Sequence, residues 1–281
     1  MEIFTNITDT RKALTKHRSQ GRTIGFVPTM GALHKGHVSL VEKAVSENDI
    51  VVVSIFVNPT QFNDKSDLKN YPRTPDTDVK ILDESGVHYI FMPTEQEIYP
   101  EPDTRIFDFG LLDKVMEGEH RPGHFNGVAQ VVSKLFDIVE PHRAYFGQKD
   151  FQQLAIIRRM VKLLDLHIEI VACPIIREID GLAMSSRNLL LEQTIRESSP
   201  QIYQTLSNAR NKAKELSVKE LIYWVVTSIN KNSNLAVEYF SLVDSETLQP
   251  ISNWDDSNSV IGCIAVKAGK IRLIDNMFFN N

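Results

Sequence analysis

Cysteine is scarce: Cys173 and Cys263 are the two thiols in a chain of 281 residues. They are too few for a disulfide framework and too far apart for a cysteine metal cluster, so both are expected to be buried apolar side chains. Long apolar runs are missing too. The longest strongly apolar stretch, Ile50 to Val57, is far shorter than a membrane-spanning helix, and Met1 to Arg11 is polar and charged. Positive charge is not in excess: 31 lysines and arginines face 36 aspartates and glutamates, a formal net charge of −5. That balance gives no electrostatic footprint for a nucleic-acid partner, although a small anionic ligand needs only a local basic pocket. Internal repeats and low-complexity linkers are absent. A cytoplasmic enzyme or binding protein is expected, with neither a membrane nor a nucleic acid as partner.

The hydrophobic share, 42%, is enough for a sizeable core. Up to Cys173, apolar strands alternate with amphipathic helices, the pattern of βαβ units around a parallel sheet covered on both faces. Strands are expected at Thr23 to Pro28, Ile50 to Val57, Val87 to Met92, Arg143 to Phe146 and His167 to Ala172. Helical periodicity is clearest from Lys149 to Leu164, where Leu154, Ile157, Val161 and Leu164 share a face, and from Phe125 to Val139, where Val128, Val132 and Phe136 do. After Pro174 the pattern changes. Leu191 to Lys231 reads as mostly helical, and strand-like runs follow at Val237 to Val243, Val260 to Lys267 and Ile271 to Ile274. A hairpin turn is expected at Gly269-Lys270. The chain is therefore expected to divide into an α/β domain, 1–175, and a smaller α+β domain, 176–281.

Five segments carry residues that a fold alone does not require. In Pro28-Thr-Met-Gly-Ala-Leu-His-Lys-Gly-His37 two histidines stand three apart at a strand-to-helix junction. His37 is expected to open the helix, whose unpaired N–H groups and positive end favour an anion, while Gly31 and Gly36 allow close approach. Asn58 and Gln61 follow the strand ending at Val57, where ligands of open α/β sheets bind. Glu117-Gly-Glu-His-Arg-Pro-Gly-His-Phe-Asn126 is dense in charge; Arg121 would suit an anion, whereas His120 and His124 lack the further ligands of a convincing metal site. Lys149, after Gly147 and Gln148, sits at an expected helix start where a cation is unfavourable unless an anion arrives; Asp150 and Gln153 lie beside it. Finally Ser185, Ser186 and Arg187 place two hydroxyls and a guanidinium in a row. All but the Glu117 to Asn126 segment also have, taken alone, a plain structural reading: a polar βα turn, an Asn-Pro turn, a solvated lysine, a capping serine.

Together, the HxGH at His34 to His37 and the Met184-Ser-Ser-Arg187 loop resemble the paired motifs of the nucleotidyltransferase superfamily. Six ordered motifs narrow this to a resemblance to the pantothenate synthetase (pantoate–β-alanine ligase) family: Pro28 to His37, Val57-Asn-Pro-Thr-Gln-Phe62, Tyr71-Pro-Arg-Thr74, Gly118 to Val128, Phe146 to Leu154 and Asp180 to Asn188. The alternative is another adenylate-forming or nucleotidyltransferase enzyme with HxGH.

The resemblance implies a Rossmann-like parallel sheet with a smaller C-terminal lid domain, and ATP-driven condensation of (R)-pantoate with β-alanine through a pantoyl adenylate. ATP is then a substrate accompanied by Mg2+, and a homodimer is implied. Met30, Gly31, Ala32, Leu33, His34, Lys35, Gly36 and His37 would line the ATP site, with His34 and His37 on the phosphates and His37 the proton donor. Gly147, Gln148, Lys149 and Asp150 would also contact ATP, with Gln148 contributing backbone. Ile176 would meet adenine. Met184, Ser185, Ser186 and Arg187 would close over the phosphates. Gln61 and Gln153 would hold pantoate, and Gln61 β-alanine. No protein metal site is implied; Asp76 and Asp78 are the weak candidates for a magnesium ligand.

Overall fold

The computed structural model describes residues 1–279. In chain order its strands are β1 (Glu2–Phe4), β2 (Ile24–Thr29), β3 (Ile50–Ile55), β4 (Tyr89–Phe91), β5 (Arg143–Gly147), β6 (Glu169–Cys173), β7 (Leu235–Asp244), β8 (Val260–Ala268) and β9 (Ile271–Phe278). Its helices are α1 (Ile7–Ser19), α2 (Lys35–Glu47), α3 (Lys65–Asn70), α4 (Pro75–Glu84), α5 (Glu95–Ile98), α6 (Glu117–His120), α7 (His124–Val139), α8 (Phe151–Leu163), α9 (Gln193–Ser198), α10 (Gln201–Lys212) and α11 (Val218–Asn230). Among the described residues no helix is long and apolar enough to cross a membrane.

The first compact unit comprises Met1–Phe109, Arg121–Gln148 and Gln153–Pro174. Its six strands run in the order β1-β4-β3-β2-β5-β6, and every neighbouring pair is parallel. The β-branched run Ile50 to Val53 is buried on both faces, as a parallel sheet requires of its central strands. On one face Val27, Val51, Val53 and Tyr145 pack with Leu40, Val41 and Ala44 of α2 and Leu82 of α4. On the other, Phe136 of α7 meets Phe26 and Phe146 edge to face. α7 is apolar around almost its whole circumference and accordingly buried along its length. The strand β1 falls within the N-terminal stretch whose overall character is polar and charged; it adds to β4 in parallel, Ile3 opposite Ile90.

The second unit comprises Gly110–His120, Lys149–Gln152 and the chain from Ile175 onward. It thus takes in two short segments that precede the single boundary expected at 175/176. Strands β7, β8 and β9 form an antiparallel sheet, with Gly269 supplying the left-handed residue (φ +58°) of the β8–β9 turn. One face, carrying Phe240, Leu242, Ile264, Val266 and Leu273, packs with Leu206 and Ala209 of α10 and Leu221 and Val225 of α11. The opposite face holds the inserted segments. There Arg272 grips both oxygens of Glu117 (2.7 and 2.6 Å) and one of Glu238 (2.7 Å), and the Tyr239 hydroxyl donates to Glu117 (2.8 Å). Burial opposes the Arg272 charge, yet the two carboxylates outweigh it and raise its pKa. Burial, then the Glu117 carboxylate, pushes the Tyr239 hydroxyl far up, so it stays a donor.

Candidate active site

The chain passes from β2 through β3 to β4 on one side of the sheet, then returns to place β5 and β6 on the other side of β2. The order therefore reverses between β2 and β5. Loops leaving the carboxyl ends of two strands at such a switch point diverge and open a crevice for a ligand. Met30 to His37 leaves β2; Gly147 and Gln148 leave β5.

The β2 loop is held in an unusual backbone conformation. Gly31 and Ala32 are both left-handed, with φ of +80° and +49°, a costly state for alanine. Asp78 of α4 holds it there. Buried at 1% exposure, it accepts from the Ala32 N–H (3.0 Å), the Leu33 N–H (2.8 Å) and the Thr74 hydroxyl (3.1 Å). A Cβ at residue 31 would lie 3.0 Å from Asp78 Oδ2, so glycine suits the spot twice over.

Helix α2 then starts at Lys35, two residues before the start expected at His37. The reason is a capping box built from histidines. His34 is the N-cap, and its Nδ1 accepts from the Gly36 N–H (3.1 Å); His37, at the third helical position, accepts from the His34 N–H through Nδ1 (3.3 Å). With Nδ1 an acceptor in each ring, the proton of the neutral form sits on Nε2 in both. The rings lie 4.1 Å apart, centroid to centroid. No acidic residue occupies the first turn of this 13-residue helix, leaving its positive end uncompensated by its own carboxylates.

Gln61 closes a short 3-10 turn, Pro59–Gln61, after β3. Its side-chain oxygen accepts from Asn58 Nδ2 (3.1 Å), its Nε2 points at the Met30 sulfur (3.2 Å), and its carbonyl accepts from His124 Nδ1 (2.8 Å). Asn58 is not poised for a ligand as its sequence position suggests. It is 1% exposed, its amide also donates to the Gly127 carbonyl (3.1 Å), and its oxygen accepts from Thr60 (3.1 Å) and Tyr99 (2.8 Å). Burial pushes the Tyr99 hydroxyl up to about 12, which keeps it protonated as that donor. His124 likewise serves the turn: with Nδ1–H given to Gln61, its Nε2 accepts from Arg121 (3.1 Å). His120 stacks on Tyr239 (5.3 Å). Among the described residues no group of three or more His, Cys, Asp or Glu could hold a metal ion.

Of the residues singled out in the sequence, Met30 to His37, Gln61, Gly147, Gln148 and Gln153 belong to the first unit, and Lys149, Asp150, Ile176, Met184, Ser185, Ser186 and Arg187 to the second. Lys149 lies in a 3-10 turn, Gln148–Asp150, ahead of α8, rather than in the helix, with its ammonium 3.3 Å from Asp150. In the second unit a small hairpin joins Ile176 to Met184. The Met184 N–H donates to the Ile176 carbonyl (3.0 Å), the Glu178 N–H to that of Leu182 (2.8 Å), and Arg177 bridges to Ala183. Ser185 then caps a 3-10 turn, Ser186–Leu190, by accepting from the Arg187 N–H (3.3 Å). Arg177, Asp275, Asn276 and Asp78 support these pieces without having been singled out for that role. The one sequence signal they offer is a polar pair, Asp275-Asn276, between the apolar runs Leu273-Ile274 and Met277 to Phe279.

Comparison with known proteins shows the family and the fold. The model of the pantoate-beta-alanine ligase family matches residues 2–278. A pantothenate synthetase of Porphyromonas gingivalis is 55% identical over 281 residues, all of both chains. The crystal structure of pantothenate synthetase from Thermus thermophilus superposes with a TM-score of 0.94 at 42% identity, covering both chains completely. That of a Francisella tularensis pantoate-beta-alanine ligase complexed with beta-gamma ATP and beta-alanine gives 0.83 at 38% identity, over 99% of this chain and 98% of that one. The chain belongs to the pantoate-beta-alanine ligase family.

Proposed function

We propose that the chain condenses (R)-pantoate with β-alanine, cleaving ATP to AMP and pyrophosphate. The observation that carries this reading is the histidine capping box at the switch point of the sheet, within a chain that matches its family almost end to end. In the first step a pantoate carboxylate oxygen attacks the α-phosphorus and the α–β bridging bond breaks, releasing pyrophosphate. In the second the β-alanine amine attacks the acyl carbon, loses a proton, and AMP leaves with the bond electrons. A mixed anhydride already has a good leaving group, so orientation and charge stabilisation suffice.

We assign roles on that basis. Met30, Gly31, Ala32, Leu33, Lys35 and Gly36 line the ATP site; His34 and His37 donate hydrogen bonds through Nε2 to the triphosphate, His37 as the proton-bearing group that offsets the charge developing on the departing pyrophosphate. Gly147, Gln148, Lys149 and Asp150 contact ATP, Ile176 and Met184 the nucleotide, and Ser185, Ser186 and Arg187 its phosphates. Gln61 and Gln153 bind pantoate, Gln61 also β-alanine. Both oxygens of Asp78 are engaged with the β2 loop, which favours a structural role for it over that of a magnesium ligand. Magnesium would instead be held by phosphate oxygens and water, screening the charge of the triphosphate. A cytoplasmic homodimer is the expected assembly, to be checked by sedimentation equilibrium at twice the chain mass.

Incubation with ATP, magnesium, pantoate and β-alanine should give AMP and pantothenate in equal amounts, and omission of either organic substrate should abolish pantothenate. An amide product formed from a different carboxylic acid, with none from pantoate, would contradict the assignment.

A further inference from the structure

Asp275 and Asn276 stand side by side near the end of β9 and are 4% and 3% exposed. Consecutive residues of a strand face opposite sides of its sheet, so the pair serves both faces of the second unit's sheet. Toward the helical face, Asp275 receives two parallel bonds from the Arg177 guanidinium, 2.7 and 3.0 Å long. The same guanidinium donates to the Gly181 carbonyl (3.2 Å) and lies over the Tyr203 ring, 3.9 Å from its centroid. Arg177 is thereby fixed on three sides. It is also the second residue of the hairpin whose ends are Ile176 and Met184, and Asn188 donates back to the Ala183 carbonyl (3.1 Å) on the far side of the Ser185–Arg187 turn. Toward the other face, Asn276 Nδ2 donates to the backbone carbonyl of Lys149 (2.9 Å), and Phe278 meets Phe151 edge to face two residues further on.

We propose that Asp275 and Asn276 are positioning residues for adenylation, one holding the Ile176–Arg187 loop through Arg177 and the other holding Lys149 through its backbone. Two phosphate-facing pieces, far apart in sequence, are in this way anchored to successive residues of one strand. A purely structural explanation is weak. A buried ion pair contributes little net stability relative to well-packed apolar residues, and a buried amide in a strand gains nothing over an aliphatic one unless its bond fixes something. The inference rests on the functional assignment above.

The test separates the two half-reactions. ATP–pyrophosphate exchange dependent on pantoate needs the triphosphate contacts, whereas β-alanine attack on supplied pantoyl adenylate does not. Asn276→Ala, which acts on Lys149, is expected to raise the KM for ATP in exchange by about tenfold or more while aminolysis of the adenylate stays within about threefold of wild type; Asp275→Asn, which also loosens Ile176 and Met184 on the nucleotide, should raise the KM for ATP by about as much with a clearly smaller loss in aminolysis. Arg177→Lys keeps a cation beside Asp275 but loses the two-pronged contact and the ring stacking, and should show the same split even if Asp275→Asn fails to fold. Equal losses in both half-reactions, or an unchanged KM for ATP in the folded variants, would overturn the proposal. Absence of pantoate-dependent exchange in the wild-type protein would instead overturn the functional assignment on which it rests.

Discussion

At the scale of single residues, the histidines announce themselves and their support does not. His34 and His37 are visible as a spaced pair, and so are Lys149 and the Ser185–Arg187 triplet. Asp78 draws notice in the sequence only as a weak candidate for a magnesium ligand, and nothing there marks it as support for the loop: its partners Ala32 and Leu33 lie 46 and 45 residues away. Its importance comes from holding a left-handed backbone that no local signal reveals. Asp78→Ala would leave the buried Ala32 N–H and the partly buried Leu33 N–H without an acceptor, at about 1–3 kcal/mol for the first and less for the second. We therefore expect a loss of about 2–4 kcal/mol in unfolding free energy by urea titration, together with a raised KM for ATP. A variant as stable as wild type would show that the loop does not depend on this carboxylate.

At the scale of elements, periodicity located the central strands and the long helices to within a residue or two, because burial on both faces of β3 and around α7 writes an unbroken apolar signature. It failed where polarity interrupts a buried strand. The run expected to end at Ile274 continues to Phe278, and the break is the Asp275-Asn276 pair, buried with side-chain bonds to Arg177 and to the Lys149 carbonyl. β1 escaped for another reason: three half-exposed edge residues are too short to show any period. Helix α7 bears on the candidate site through Gly127, where an added Cβ would sit 2.5 Å from the Thr60 carbonyl oxygen and 2.9 Å from the Gln61 nitrogen. Backbone cannot yield as a side-chain tip can. Gly127→Ala should therefore displace the Gln61 turn, raising the KM for pantoate about tenfold or more with a smaller change for ATP. Equal effects on the two substrates would argue that Gln61 does not face pantoate.

At the scale of the whole molecule, the alternation of strands and helices up to Cys173 and its change after Pro174 point to an α/β sheet and a smaller α+β unit, but give no sign that residues 110–120 and 149–152 cluster with the latter. Glu117 and Arg272, 155 residues apart, make that join, and pairing over such a distance leaves no trace in local sequence. Each unit buries one thiol. Burial raises Cys173 to about 11 and Cys263 to about 12, which suppresses the reactive thiolate at pH 8. A disulfide-exchange reagent should thus label neither cysteine in the native protein and both in urea. Rapid labelling of a native thiol would mean that its unit opens readily.

The central claim is that the fixed histidine pair promotes attack of pantoate on ATP. It is tested most directly by the incorporation of labelled pyrophosphate into ATP, with pantoate present and β-alanine absent, in wild type and His37→Ala. Exchange should require pantoate and fall by about 100-fold or more in the variant, while loss of the His37 half of the capping box lowers the melting temperature by no more than a few degrees. Exchange that proceeds without pantoate, or that survives the loss of His37, would contradict it.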